Sequence, residues 1–173
     1  MRVFISVKLP PKILWKIEEI QKALPEFLGK KTELQNLHLT LKFLGRVSFE
    51  EVEEIKLRLR NINLEKFEAE IEEVGFFENF KRGIIWLKLT NCDNLQKEID
   101  KSLEGISEKE KRFMGHLTIA RVKKIKDKKE FLNSLKKIKI PKIFFIVDKF
   151  YLIESKLKKE GPEYFILEKY NLN

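Results

Sequence analysis

Histidine and cysteine are scarce in this sequence: two histidines and one cysteine among 173 residues. A single cysteine, Cys92, excludes an intrachain disulfide and suits a reducing compartment. The plain expectation for it is a buried small side chain rather than a nucleophile. Two histidines with no cysteine cluster beside them, and no carboxylate at ligand spacing, do not fill a zinc site. Long apolar runs are missing too. None approaches the ~20 residues that cross a bilayer as a helix, so no membrane partner is expected. The chain opens with Arg2 and runs straight into a strand-like stretch, unlike a signal peptide, which favours a cytoplasmic location. Nor is there a stretch rich in Pro, Gly or Ser between folded parts; the seven glycines and five prolines are scattered. The length fits one domain with a sizeable core, and a monomer is the simplest expectation.

Negative charge is in deficit. Lys and Arg number 36 against 27 Asp and Glu, a net charge of 36 − 27 = +9. Such a surface favours polyanions, because Lys and Arg displace the counterions condensed on phosphates.

What is present is a pattern that occurs twice. Val3, Ile5 and Val7 alternate with polar residues over 2–8, the period of a strand. Pro10-Pro11 suits a helix start, and Ile13, Ile17, Ile20 and Leu24 recur on one helical face. A loop is predicted from Pro25 to about Glu33. The strand Leu37–Leu44 sets Leu37, Leu39 and Leu41 on one face and His38, Thr40 and Lys42 on the other. Ser48 with Glu51 is a capping-box pattern ahead of Val52, Ile55, Leu59 and Ile62. A strand over about Phe67–Val74 has an acidic face, and Gly75–Gly83 reads as an aromatic loop. The pattern then restarts. Ile84–Leu89 is a strand, and Asp93 caps a helix carrying Leu95, Ile99 and Leu103. After the charged loop Glu104–Lys111 comes a second histidine strand. Asp127 with Glu130 starts another helix, Ile143–Ile153 is a long strand, and Tyr164–Leu167 a last one. Phe4 precedes His38 by 38 − 4 = 34 residues, and Ile84 precedes His116 by 116 − 84 = 32. The reading is an internal duplication, about 1–80 and 81–160 plus a C-terminal strand. The expected fold is α+β: two pseudo-symmetric lobes, each a mainly antiparallel sheet with helices outside and a cleft between.

Both histidines stand in the word His-Leu-Thr, 116 − 38 = 78 residues apart. Imidazole titrates near ~6.5, so one ring serves as base while the other serves as acid at neutral pH. Displacement at phosphorus needs that pair, one group on the attacking oxygen and one on the leaving oxygen. Thr40 and Thr118, two residues on, share their histidines' face and are placed to bond a phosphate oxygen.

The two His-x-Thr-x words, with their flanks Asn36-Leu37-His38-Leu39-Thr40-Leu41-Lys42-Phe43-Leu44-Gly45 and His116-Leu117-Thr118-Ile119-Ala120-Arg121, resemble the two-histidine phosphoesterases. Within that superfamily the fuller pattern is similar to the RNA 2′,3′-cyclic phosphodiesterase family, also named 2′-5′ RNA ligase. The segments Val3–Pro10 and Ile84–Leu87 fall where that family has similar ones. The resemblance implies a bilobal α+β enzyme that opens 2′,3′-cyclic phosphates on RNA, tRNA fragments among them, with no metal and no cofactor. It makes His38 the general acid and His116 the general base. Thr40 and Thr118 would hold the phosphate, Arg121 would neutralise it, and Phe43 would stack on a base. Phe43 and Arg121 each lie five residues after their histidine, so they share its face only where the strand bulges. The family pattern leads to a proline before the second histidine; Gly115 stands there, which is expected to loosen Lys109–Met114. Lys81, Arg82 and that loop are candidates for an RNA track, with Phe76, Phe77 and Phe80 as stacking rings. A ligase joining 2′,3′-cyclic and 5′-hydroxyl ends, and a non-catalytic RNA-binding module, are the alternatives.

Overall fold

A computed structural model of the chain describes residues 1–79, 82–159 and 161–173. The predicted Phe80 and Lys81 contacts lie outside those residues. The first strand, β1 (Arg2–Lys8), buries Val3, Ile5 and Val7. Pro11 opens helix α1 (Pro11–Lys22), a position where a missing N–H costs no helical bond. The segment read as a loop, Pro25 to about Glu33, holds a strand, β2 (Leu28–Lys31), and a 3-10 turn, Leu34–Asn36, follows it. All four β2 residues are exposed, so no apolar alternation marks the strand; its partner defines it.

The strand β3 (His38–Arg46) leads into α2 (Phe49–Leu59). There Glu51 N donates to Ser48 Oγ at 3.1 Å and Ser48 N to Glu51 Oε2 at 2.7 Å, completing the capping box. The strands β4 (Phe67–Asn79) and β5 (Arg82–Leu89) correct the aromatic loop: Phe76 pairs with Ile85 and Phe77 with Ile84. Helix α3 (Asp93–Ser102) is capped by Cys92, one residue before the predicted cap. Asp93 instead places its charge in the first turn, where the helix dipole favours it. The second histidine strand, β6 (His116–Lys124), precedes α4 (Lys128–Lys136), where Asp127 Oδ1 accepts from Glu130 N at 2.9 Å. The single long strand predicted over Ile143–Ile153 is two, β7 (Ile143–Val147) and β8 (Lys149–Leu157), parted at Asp148. The last strand, β9 (Pro162–Asn171), runs past the predicted Leu167.

The strands form one nine-stranded sheet in the order β7-β4-β5-β6-β3-β1-β8-β9, with β2 also on β6. Every pairing is antiparallel. The histidine strands β3 and β6 are neighbours at its centre, flanked by β1 and β5, then by β8 and β4. The apolar faces of all four helices join Leu39, Leu41, Leu117 and Ile119 in one buried cluster. The fold is therefore α+β: helices cover one face of the sheet, and the side chains that alternate away from the core form the other.

Candidate active site

Two bulges place the site. Along β3, Ser6 pairs with Thr40 and Ile5 with Lys42, so Leu41 is the extra residue. Along β6, Trp86 pairs with Thr118 and Ile85 with Ala120, so Ile119 is the extra one. Each extra residue lies three after its histidine. Without it, strand alternation would turn the fifth residue after the histidine inward. With it, Phe43 and Arg121 are exposed on the histidine face, Phe43 at 71%. His38, Thr40, Phe43, His116, Thr118 and Arg121 thus share one face of two adjacent strands. Lys42 does not join them. The bulge turns it to the core face, 4% exposed, where its ammonium pairs with Asp100.

The histidines are held alike. His38 Nδ1 lies 2.7 Å from Asn36 O, and His116 Nδ1 lies 2.8 Å from Met114 O. A carbonyl only accepts, so each Nδ1 carries a hydrogen and each Nε2 is left to take or give a proton. Both rings are half-buried. Burial, with the charges of Arg121, Lys8 and His116, holds His38 below the ordinary imidazole value, against the bond to Asn36, which raises it.

Aromatic rings wall the site, and several were not legible as site residues. Tyr164 of β9 meets the His38 ring edge-on with centroids 5.1 Å apart, and Phe4 lies 5.0 Å from the same ring. Burial raises the Tyr164 phenol, while the charges of Arg121 and Arg2 pull it down. Phe77 packs edge-on against His116 at 5.9 Å and lies over Trp86 at 4.8 Å. Gly75 makes room for that indole: a Cβ there would stand 2.1 Å from the ring. Phe76, expected as a stacking ring, packs instead on Phe131 and the core. Ser6 and Trp86, opposite the two threonines, bury Oγ and Nε1 without a hydrogen-bond partner among the described residues.

Gly115 itself is seated close against β5. Its carbonyl accepts from Leu89 N at 2.9 Å, and a Cβ on it would stand 2.4 Å from Leu89 O. Only a residue without a side chain fits so close to β5. Arg82 and the loop residues Lys109, Lys111 and Arg112 are exposed, whereas Phe113 packs on the core. Cys92 is fully buried in the core, and burial pushes its thiol up to about 12.

Comparison with known proteins gives a consistent picture. Residues 9–159 match the family model of the 2′-5′ RNA ligase superfamily. A protein of Methanocaldococcus jannaschii named RNA 2′,3′-cyclic phosphodiesterase is 31% identical, over 98% of this chain and 100% of its own. One of Thermotoga maritima with the same name is 31% identical, over 96% and 93%. A crystal structure from Thermus thermophilus superposes with a TM-score of 0.79 at 28% identity, covering 99% of this chain and 97% of that one. E. coli LigT shares the fold, with a TM-score of 0.80 at 23% identity over 99% and 97%. With a family match across most of its length and relatives that align end to end, the chain belongs to the 2′-5′ RNA ligase superfamily.

Proposed function

We propose that this phosphodiester hydrolase opens 2′,3′-cyclic phosphates at RNA ends to leave a 2′-phosphate, using His38 and His116 as a proton-transfer pair. The observation that carries the reading is the matched tethering of the two imidazoles, each with Nε2 free on the same face of adjacent strands. In this reading water attacks phosphorus while His116 Nε2 takes its proton. The bond from phosphorus to the 3′-oxygen breaks, and His38 Nε2 protonates that oxygen. His116 ends charged and His38 neutral; solvent exchange resets both. Thr40 and Thr118 bond the phosphate oxygens, Arg121 neutralises the phosphate, and Phe43 offers a face to the base.

An acid must be charged, yet His38 is held low in the free protein. The anionic substrate resolves this, because a phosphate placed against the ring favours its charged form. The reading is metal-free. The donor set supports that, for among the described residues no three His, Cys, Asp or Glu side chains gather as ligands. The name shared by the curated relatives supports RNA with cyclic phosphate ends as the substrate class; tRNA fragments are one source of such ends in this reading. The protein is read as a monomer. The duplication, about 1–80 and 81–160 in one domain, is supported by a strand order that mirrors about β6 and β3.

Ligation differs only in that a 5′-hydroxyl attacks in place of water, so the same site serves it, and the family name keeps it as the second reading. A module that only binds RNA would need neither tethered imidazole. The test is incubation with nucleoside 2′,3′-cyclic phosphates in EDTA, with products identified. Nucleoside 2′-phosphates are expected; no turnover, or turnover only after metal is restored, overturns the reading.

A further inference from the structure

We infer that Gln21 and Asp100 are positioning residues: each ties the chain leading to one histidine to the bulge of the other histidine's strand, fixing the separation of the pair. The inference rests on His38 and His116 being the reacting groups.

The contacts are reciprocal. Gln21 Nε2 donates to Thr32 O at 2.8 Å and to Ile119 O at 2.9 Å. Asp100 Oδ2 accepts from Glu110 N at 3.0 Å, and its Oδ1 takes the ammonium of Lys42. Gln96 Nε2 adds a bond to Asp100 Oδ2 at 2.9 Å, and Lys42 Nζ reaches Glu108 O at 2.6 Å. Gln21 follows buried Ile20 near the end of α1; Asp100 follows buried Ile99 near the end of α3. Thr32 and Glu110 each precede their histidine by six residues, 38 − 32 and 116 − 110. Ile119 is the extra residue of the β6 bulge, and Lys42 adjoins the extra residue of the β3 bulge. One helix of each half thus reaches across to the strand of the other.

The sheet alone holds the pair weakly. Strands β3 and β6 share one registered pair, Leu39 with Leu117. Phosphoryl displacement requires attacking and leaving groups on opposite sides of phosphorus, and a misplacement of about 1 Å costs on the order of 10²-fold. Gln21 is 5% exposed and Asp100 7%, so neither bond network is a surface accident. Stability is a poor account of the ion pair, since apolar replacement of a buried pair is often neutral or stabilising.

The test compares Lys42→Met/Asp100→Leu, which exchanges the pair for apolar side chains, with Gln21→Met, which leaves the pair in place. Each is assayed on a nucleoside 2′,3′-cyclic phosphate and by NMR titration of His38. The charged groups around that ring are Arg121, Lys8 and His116, with Phe4 and Tyr164 packed on it. We expect kcat per folded molecule to fall about 10- to 100-fold with KM within about threefold. We also expect the rise in the His38 titration caused by His116→Gln in the native background to shrink in either variant. A folded variant with native kcat and an undiminished response of His38 to His116→Gln overturns the inference. Loss of that response while His38→Ala and His116→Ala stay active upholds the struts and overturns the catalytic reading instead.

Discussion

Leu39 and Leu117 are the registered pair through which β3 meets β6. Antiparallel register about that pair sets His38 level with Thr118 and Thr40 level with His116. Each histidine therefore stands level with the threonine of the other strand, and in the proposed reading a phosphate between the strands would be held from both halves.

Replacing either imidazole should abolish one proton transfer and leave the scaffold. His38→Ala and His116→Ala are expected to slow ring opening about 10²- to 10⁴-fold. Both rings are half-buried at the surface of the sheet, so thermal midpoints should stay close to native. Near-full activity in either variant would remove it from the mechanism.

The pH dependence follows from the depressed His38. In the free protein its charged form is lost as pH rises through a value below the ordinary imidazole one. The limb of the kcat/KM profile that His38 governs, which reports the free protein, should lie there. In the proposed reading a bound phosphate favours the charged ring, so the same limb of the kcat profile should sit at higher pH. Coincident limbs would argue against His38 as the acid.

Arg121 and Phe43 should fail differently. Arg121→Ala weakens handling of the phosphate equally for every base. Phe43→Ala removes an exposed ring, with an expected loss of about 1–3 kcal/mol that is greater for purines than for pyrimidines. Equal losses for both base classes would assign Phe43 to packing.

A sulfur at the 3′ position separates the two histidines. A thiolate leaves with little help from an acid, so the thio substrate should restore much of the activity of His38→Ala. His116→Ala should not recover, since water still lacks its base. The opposite pattern of rescue would exchange the roles.

Cys92 should be inert. A buried thiol raised to about 12 carries almost no thiolate at about pH 8, so thiol reagents should label it only on unfolding.

Much of this was legible because alternation and helical periodicity report burial directly. The leucines of the first histidine strand, the Ile13–Ile17–Ile20 face and both side-chain caps were read from spacing alone. The bulges were legible only by implication, from the parity of Phe43 and Arg121. Lys42 shows why: one inserted residue sends a lysine into the core, and nothing in its neighbours announces it. β2 was missed because its strand character comes from β6, and Tyr164 because β9 reaches His38 only through tertiary pairing. Asp148 interrupts an apolar run without a glycine or proline to mark the break.

The route of the chain through the sheet bears on how the protein is made. β4, from early in the sequence, pairs with β5 and β7, while one edge of β1 waits for β8. A ribosome that has released the stretch up to β4 has therefore produced no closed unit, only strands whose neighbours are still to be translated. Both ends of the sheet are completed by the segment after Pro141, so the nascent polypeptide should remain open to proteases and chaperones until that segment has emerged.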